Sequence, residues 1–185
     1  KTKGIGTGTY IVTNENYMYV DELTEMLNRY NIPIILSPII MPTTHGDKTP
    51  TELRLSRDQL KIIMSKYATN LFGASCTAGI SRFRIRPDGV VNPCEMMRTI
   101  DLGNVYNDSF KKVMDGDKRK KWVEEYKKIL DKHECNSCRL RKRCNMCPGL
   151  FYVQNGDYNK KDDFLCMHAA IKEEIDIERK GGMEK

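Results

Sequence analysis

The sequence predicts a two-part α/β fold, with a β-α-β-α unit over residues 5–67 and a small cysteine-rich α+β region carrying a β-hairpin after it. Three observations predict it. Apolar residues in the first part alternate between a strand-like run and helical spacing. Asp88-Gly89 separates two β-prone segments, a strong hairpin signal. All seven cysteines, Cys76, Cys94, Cys135, Cys138, Cys144, Cys147 and Cys166, fall in the second part.

The elements follow in order. Thr7 to Val12 is β-prone and ends at Thr13-Asn14-Glu15-Asn16, a turn and helix-cap signal. A helix is expected over about 20–30, with Val20, Leu23, Met26, Leu27 and Tyr30 on one face and Asn31 closing it. The continuous apolar run Ile34 to Ile40 reads as a buried strand. A loop over 41–52 carries Pro42, Gly46 and Pro50. Ser56 caps a second helix over about 57–67, with Leu60, Ile63, Met64 and Tyr67 inward. This β-α-β-α order is the repeat of a parallel sheet or α/β barrel, and two strands close neither. Alone it would expose sheet edge and apolar surface.

In the second part, Phe83 to Arg86 and Val90 to Asn92 flank the hairpin turn, and Leu102-Gly103-Asn104-Val105 forms another turn. A helix over about 118–131 turns Trp122, Tyr126, Ile129 and Leu130 inward. The segment with four close cysteines reads as an irregular loop, and a last helix runs over about 167–178.

Composition bounds the function. The chain has 185 residues, opens on Lys1-Thr2-Lys3 and is read as a piece of a longer protein. No apolar stretch is long enough for a membrane span, so a cytoplasmic protein with no membrane partner is expected. The net charge of +6 comes mainly from Lys118 to Lys121 and from Arg139, Arg141, Lys142 and Arg143. The first stretch reads as a solvated helix face, and nucleic acid is not an expected partner. The second stretch would compensate an anionic centre held by thiolates.

Cys135-Asn-Ser-Cys138 and Cys144-Asn-Met-Cys147 have the spacing of metal ligands. By themselves these four fit a structural zinc site or an iron–sulfur cluster. Seven is odd, so disulfides cannot satisfy all the cysteines, whereas two sites could use four and three. Gly4-Ile5-Gly6-Thr7-Gly8 lacks a third phosphate-loop glycine at the required spacing and reads as a strand entry. His45 reads as a surface residue, His133 and His168 as incidental neighbours of the cysteines, and Met96-Met97 as packing.

Taken together, the cysteines resemble the SPASM domain found at the C-terminus of many radical S-adenosylmethionine enzymes. That family's pattern is a cysteine, nine to fifteen residues, a glycine, four residues and a cysteine, then C-x2-C-x5-C-x3-C and a last cysteine. Cys76, Gly89, Cys94, Cys135, Cys138, Cys144 and Cys166 match in order and spacing, and Cys147 departs by following Cys144 after two residues instead of three. Pro87-Asp88-Gly89, Leu102 to Val105, Cys147-Pro148-Gly149 and Gly156-Asp157 are also similar to that domain.

The resemblance implies a SPASM domain over 73–172, the later units of a radical S-adenosylmethionine barrel over 1–72, and a helix end and tail over 173–185. It implies two auxiliary 4Fe-4S clusters, with Cys135, Cys138, Cys144 and Cys166 on one and Cys76, Cys94 and Cys147 on the other, whose fourth iron position stays open. The full-length enzyme would carry a third 4Fe-4S cluster on C-x3-C-x2-C and bind S-adenosylmethionine. That motif is not in this sequence, so no catalytic residue is assigned and the piece alone is expected to be inactive. The segment Thr77 to Arg82 lacks the extra cysteine of sulfatase-maturing relatives. The expected substrate is therefore a ribosomally made peptide or protein, cross-linked through a thioether or otherwise, with flavodoxin or ferredoxin as electron donor. The alternatives are a non-catalytic zinc module for protein or nucleic-acid contact, and a sulfatase-maturase-like or small-molecule enzyme of the same class.

Overall fold

A computed structural model describes residues 6–43, 45–67, 76–144 and 146–181. They fall into two compact units. The first takes described residues within 6–67, 142–144 and 163–181, and the second takes 76–141 and 146–162.

The first unit begins with strand β1 (Gly8–Ile11), helix α1 (Val20–Arg29) and strand β2 (Ile34–Ser37). The strands pair in parallel, with Gly8 opposite Ile34 and Tyr10 opposite Leu36. Asn31 ends the turn after α1 in the left-handed region, φ 55°, where asparagine is tolerated better than most residues. The expected strand over 34–40 stops at Ser37, whose carbonyl accepts from the Val12 N–H at 2.9 Å. Pro38 has no N–H to extend the ladder.

Helix α2 (Arg57–Lys66) starts at Ser56 with a capping box. The Gln59 N–H donates to the serine hydroxyl, and the Gln59 side chain accepts from the Ser56 N–H at 2.9 Å. The last helix (Asp163–Gly181, α6) starts four residues earlier than expected and packs on α2. Lys61 meets Glu178 at 2.7 Å, and Arg57 meets Glu174.

One core joins Val12, Val20, Leu36, Leu60, Ile63, Met64, Phe164, Ile171 and Ile175, with Tyr10 and Ile34 packed against it. The opposite sheet face is less covered, with Ile11 and Ile35 exposed. On α1 the expected apolar face is only partly used. Val20 is buried, whereas Met26 is 47% and Tyr30 71% exposed. Two strands are too narrow a surface to cover a ten-residue helix along its length.

The second unit has the expected hairpin, β3 (Arg84–Ile85) antiparallel to β4 (Val91–Asn92). The Gly89 N–H donates to the Arg86 carbonyl at 2.9 Å. Gly89 has φ +82°, and a Cβ there would meet Asn104 Oδ1 at 2.5 Å, so the turn requires glycine. The 102–105 turn lies along the hairpin, with the Leu102 N–H bonded to the Val91 carbonyl and the Val105 N–H to the Gly89 carbonyl, each at 2.9 Å.

Helices α3 (Phe110–Asp115) and α4 (Asp117–Lys132) follow, then α5 (Pro148–Asn155). The expected helix over 118–131 corresponds to α4, whereas α3 and α5 lie in stretches to which the sequence reading assigns no element. Trp122, Ile129 and Leu130 of α4 pack against buried Tyr126, Met97 and Cys94, as their spacing predicts. Among the described residues no helix is long and apolar enough to cross a membrane.

Candidate iron–sulfur site

Cys76, Cys94 and Cys147 come from separate segments, and local contacts in the second unit draw them together. The Gly79 N–H, three residues after Cys76, donates to the carbonyl of Pro93, the residue before Cys94, at 2.9 Å. Arg119 of α4 donates through Nε to the Gly79 carbonyl at 2.8 Å. A Cβ on Gly79, whose φ is +68°, would lie 2.6 Å from the Trp122 ring, so only glycine lets the Cys76 loop sit on α4.

Asn92 holds the other side of Cys94. Fully buried, it donates through Nδ2 to the Ile100 carbonyl at 2.7 Å and accepts on Oδ1 from Arg84 at 3.3 Å. Cys147 immediately precedes α5, where proline fits the first turn. Gly149, two residues on, packs against Met96 and Met97 in the Cys94 loop.

Tyr126, one helical turn beyond Trp122, sits among the three thiols. It is 4% exposed, and its hydroxyl lies 3.5 Å from Cys76 Sγ. Burial, then charge on Cys76, raises its pKa, with smaller contributions from Cys147 and Cys94. Burial likewise raises the Cys94 thiol and pushes Cys147 up to about 12, and charges on neighbouring cysteines add to both. Cys94 and Tyr126 share one buried cluster with Cys76 packed against it, and charge on Cys147 is felt at Tyr126.

Opposing influences favour thiolates there. Amides of Met96 and Met97 act on the Cys94 sulfur, as do those of Leu150 and Gly149 on the Cys147 sulfur. The positive charge of Arg82 also lowers the Cys94 thiol pKa. Buried thiols equipped with N–H groups suit ligands whose protons are displaced by metal. Among the described residues no group of three or more His, Cys, Asp or Glu is gathered closely enough to hold a single metal ion.

The other cysteines divide between the units. In the second, Cys135 lies in a 3-10 turn over Glu134–Ser137, and Cys138 closes that turn exposed. His133 fixes the turn entry. Its Nδ1 accepts from the Cys135 N–H at 3.1 Å, which leaves Nε2 to donate to the Tyr158 carbonyl at 3.2 Å. This residue was read as incidental, and its spacing alone gave no sign of the clamp. In the first unit, Cys144 and Cys166 are both half-buried, the latter in the first turn of α6.

His168 is also buried in the first unit, where desolvation pushes its pKa down to about 4 and leaves the ring neutral. His45 is exposed, as read from sequence. Arg143, expected to compensate a thiolate centre, meets Asp176 at 3.0 Å and Glu173 at 3.7 Å. Sequence reasoning missed Arg82 and the Tyr126 hydroxyl, because neither position carries a motif. None of the seven cysteines is disulfide-bonded.

This combination defines a thiolate site of the kind that holds an iron–sulfur cluster. Residues 76–148 match the SPASM family, described as an iron-sulfur cluster-binding domain, and this stretch is a SPASM domain. The match begins at Cys76 and ends just after Cys147. No curated protein matches the chain.

Proposed function

We propose that this chain is the C-terminal part of a radical S-adenosylmethionine enzyme that modifies a ribosomally made peptide or protein. In this reading the SPASM domain carries two auxiliary 4Fe-4S clusters. Cys76, Cys94 and Cys147 hold one, and Cys135, Cys138, Cys144 and Cys166 hold the other. The observation that carries the reading is the convergence of Cys76, Cys94 and Cys147 around Tyr126 inside a SPASM domain. A bound cluster would supply electron transfer or a coordination position, while the chain fixes its ligands and excludes water.

The β-α-β-α order and the exposed Ile11 and Ile35 on the sheet face away from the core support the barrel part of the reading. In a closed barrel that face would be covered by the remaining strands. The third cluster and S-adenosylmethionine would belong to the full-length protein, which would work in the cytoplasm with a reduced flavodoxin or ferredoxin.

The test is twofold. Anaerobically purified protein is expected to contain about eight irons with matching acid-labile sulfide per chain for two four-iron clusters. One zinc and no sulfide after reconstitution would contradict this and leave a zinc module. Full-length protein, S-adenosylmethionine and reductant should then change the mass of a peptide encoded beside its gene. Turnover of a small molecule alone would overturn the peptide assignment.

A further inference from the structure

We propose that Tyr126 and Tyr158 are paired hydroxyl donors of the three-cysteine site, hydrogen-bonding to sulfur there and setting the reduction potential of the cluster it holds. The proposal rests on the reading that Cys76, Cys94 and Cys147 bind an iron–sulfur cluster.

Two independent observations lead to it. The first is the Tyr126 hydroxyl, 3.5 Å from Cys76 Sγ at the buried end of α4 packing. The ring has little freedom to leave. It stacks on Trp122 with centroids 4.7 Å apart and meets Tyr158 edge-on at 6.1 Å.

The second is the Tyr158 hydroxyl. It is buried and has no hydrogen-bond partner among the described residues. Its ring is held by stacking on Tyr152 at 4.5 Å, and its backbone carbonyl is tied to His133. Leaving a buried hydroxyl unpaired is destabilising, and a phenylalanine would avoid that cost. The ring packs against the core containing Cys94, and charge on Cys94 reaches its phenol. An acceptor among the three thiols would therefore satisfy the orphan.

Cluster sulfides and cysteine thiolates are such acceptors. Hydrogen bonds to them withdraw electron density and favour the reduced state. A phenol ordinarily titrates at about 10, so each keeps its proton at neutral pH and remains a donor.

The test compares parent protein, Tyr126→Phe and Tyr158→Phe after anaerobic reconstitution. Phenylalanine keeps both ring stacks, so folding is preserved. Iron and sulfide are measured first, then the midpoint potential of the cluster that Cys76→Ala removes. Pulsed magnetic resonance in heavy water reads exchangeable protons close to that cluster. Each variant should keep its full iron and sulfide and lose an exchangeable-proton coupling. Each should also shift the redox equilibrium about tenfold toward the oxidised form, about 59 mV for a one-electron couple. The cluster-free Tyr158→Phe protein should melt no lower than the parent.

Full iron with parental potentials in both variants would overturn the donor assignment and leave the cluster reading intact. A lowered melting temperature with an unmoved potential would mark a structural role and overturn it too. Loss of cluster in Tyr158→Phe alone would make that residue a ligand, not a donor. A parent protein without iron or sulfide would remove the reading on which the proposal stands.

Discussion

The two units reach compactness by different chemistry. In the first, β1, β2, α1, α2 and α6 enclose one continuous apolar core, and its exposed ion pairs add little. In the second, buried apolar side chains divide between small clusters, one around Val91, Leu102 and Val113 and another around Ala78, Cys94, Met97 and Tyr126. Thiols and phenols occupy the centre of the latter. The contrast teaches where to look for metal dependence: the second unit, with hairpin strands of two residues each and thiols in its centre, is the one expected to lose stability when its cysteines are left without a ligand.

Removing iron with chelator and oxidant should break the comparison most sharply. Hydrogen exchange should accelerate by orders of magnitude across 76–141 and 146–162, while α2 and α6 keep their protection. Equal protection in both units after iron removal would show that the metal carries no stability.

The complementary change is Leu60→Ala, at a fully buried position of the first unit. It should cost about 2–5 kcal/mol in denaturant unfolding and leave the iron content unchanged. Iron loss in this variant would mean that the units are not separable in this way.

Gly79→Ala sharpens the account of convergence. The positive φ and the overlap with Trp122 should together cost about 1–3 kcal/mol. Cluster occupancy should fall with stability, because this contact seats the Cys76 loop on α4. Unaltered occupancy and melting would show that the loop docks by other means.

Ser56→Ala should have the smallest effect, about 1 kcal/mol from the lost capping box, visible as faster exchange in the first turn of α2. No change there would indicate that α6 packing alone holds the helix start.

Much of this was legible in the sequence for local reasons. Ser56 with Gln59 announces α2, Asp88-Gly89 announces the hairpin, and the spacing of Trp122, Tyr126, Ile129 and Leu130 gives the buried face of α4. Other features depend on contacts distant in sequence. Met26 and Tyr30 obey helical periodicity but are left exposed by the described residues. Helix α5 is signalled by Pro148 at its start and by Gly156, φ +75°, at its end, yet it follows directly on the cysteine-dense stretch that reads as loop and has no helical spacing strong enough to announce it.

The candidate site divides in the same way. Cysteine spacing named possible ligands, but nothing local predicts that Arg82 would act on Cys94 or that Arg143 would turn to Asp176. Tyr158 carries no motif at all. Its orphaned hydroxyl emerges only when α5 and the following turn return it to the Cys94 core.

The most direct test of the central claim, that three separated cysteines form one site, is iron and acid-labile sulfide per chain in Cys76→Ala, Cys94→Ala and Cys147→Ala. Each should lose the same cluster, about four irons relative to the parent, and all three should leave the same residual spectrum. Full iron in any one of them, or three different residual spectra, would contradict it.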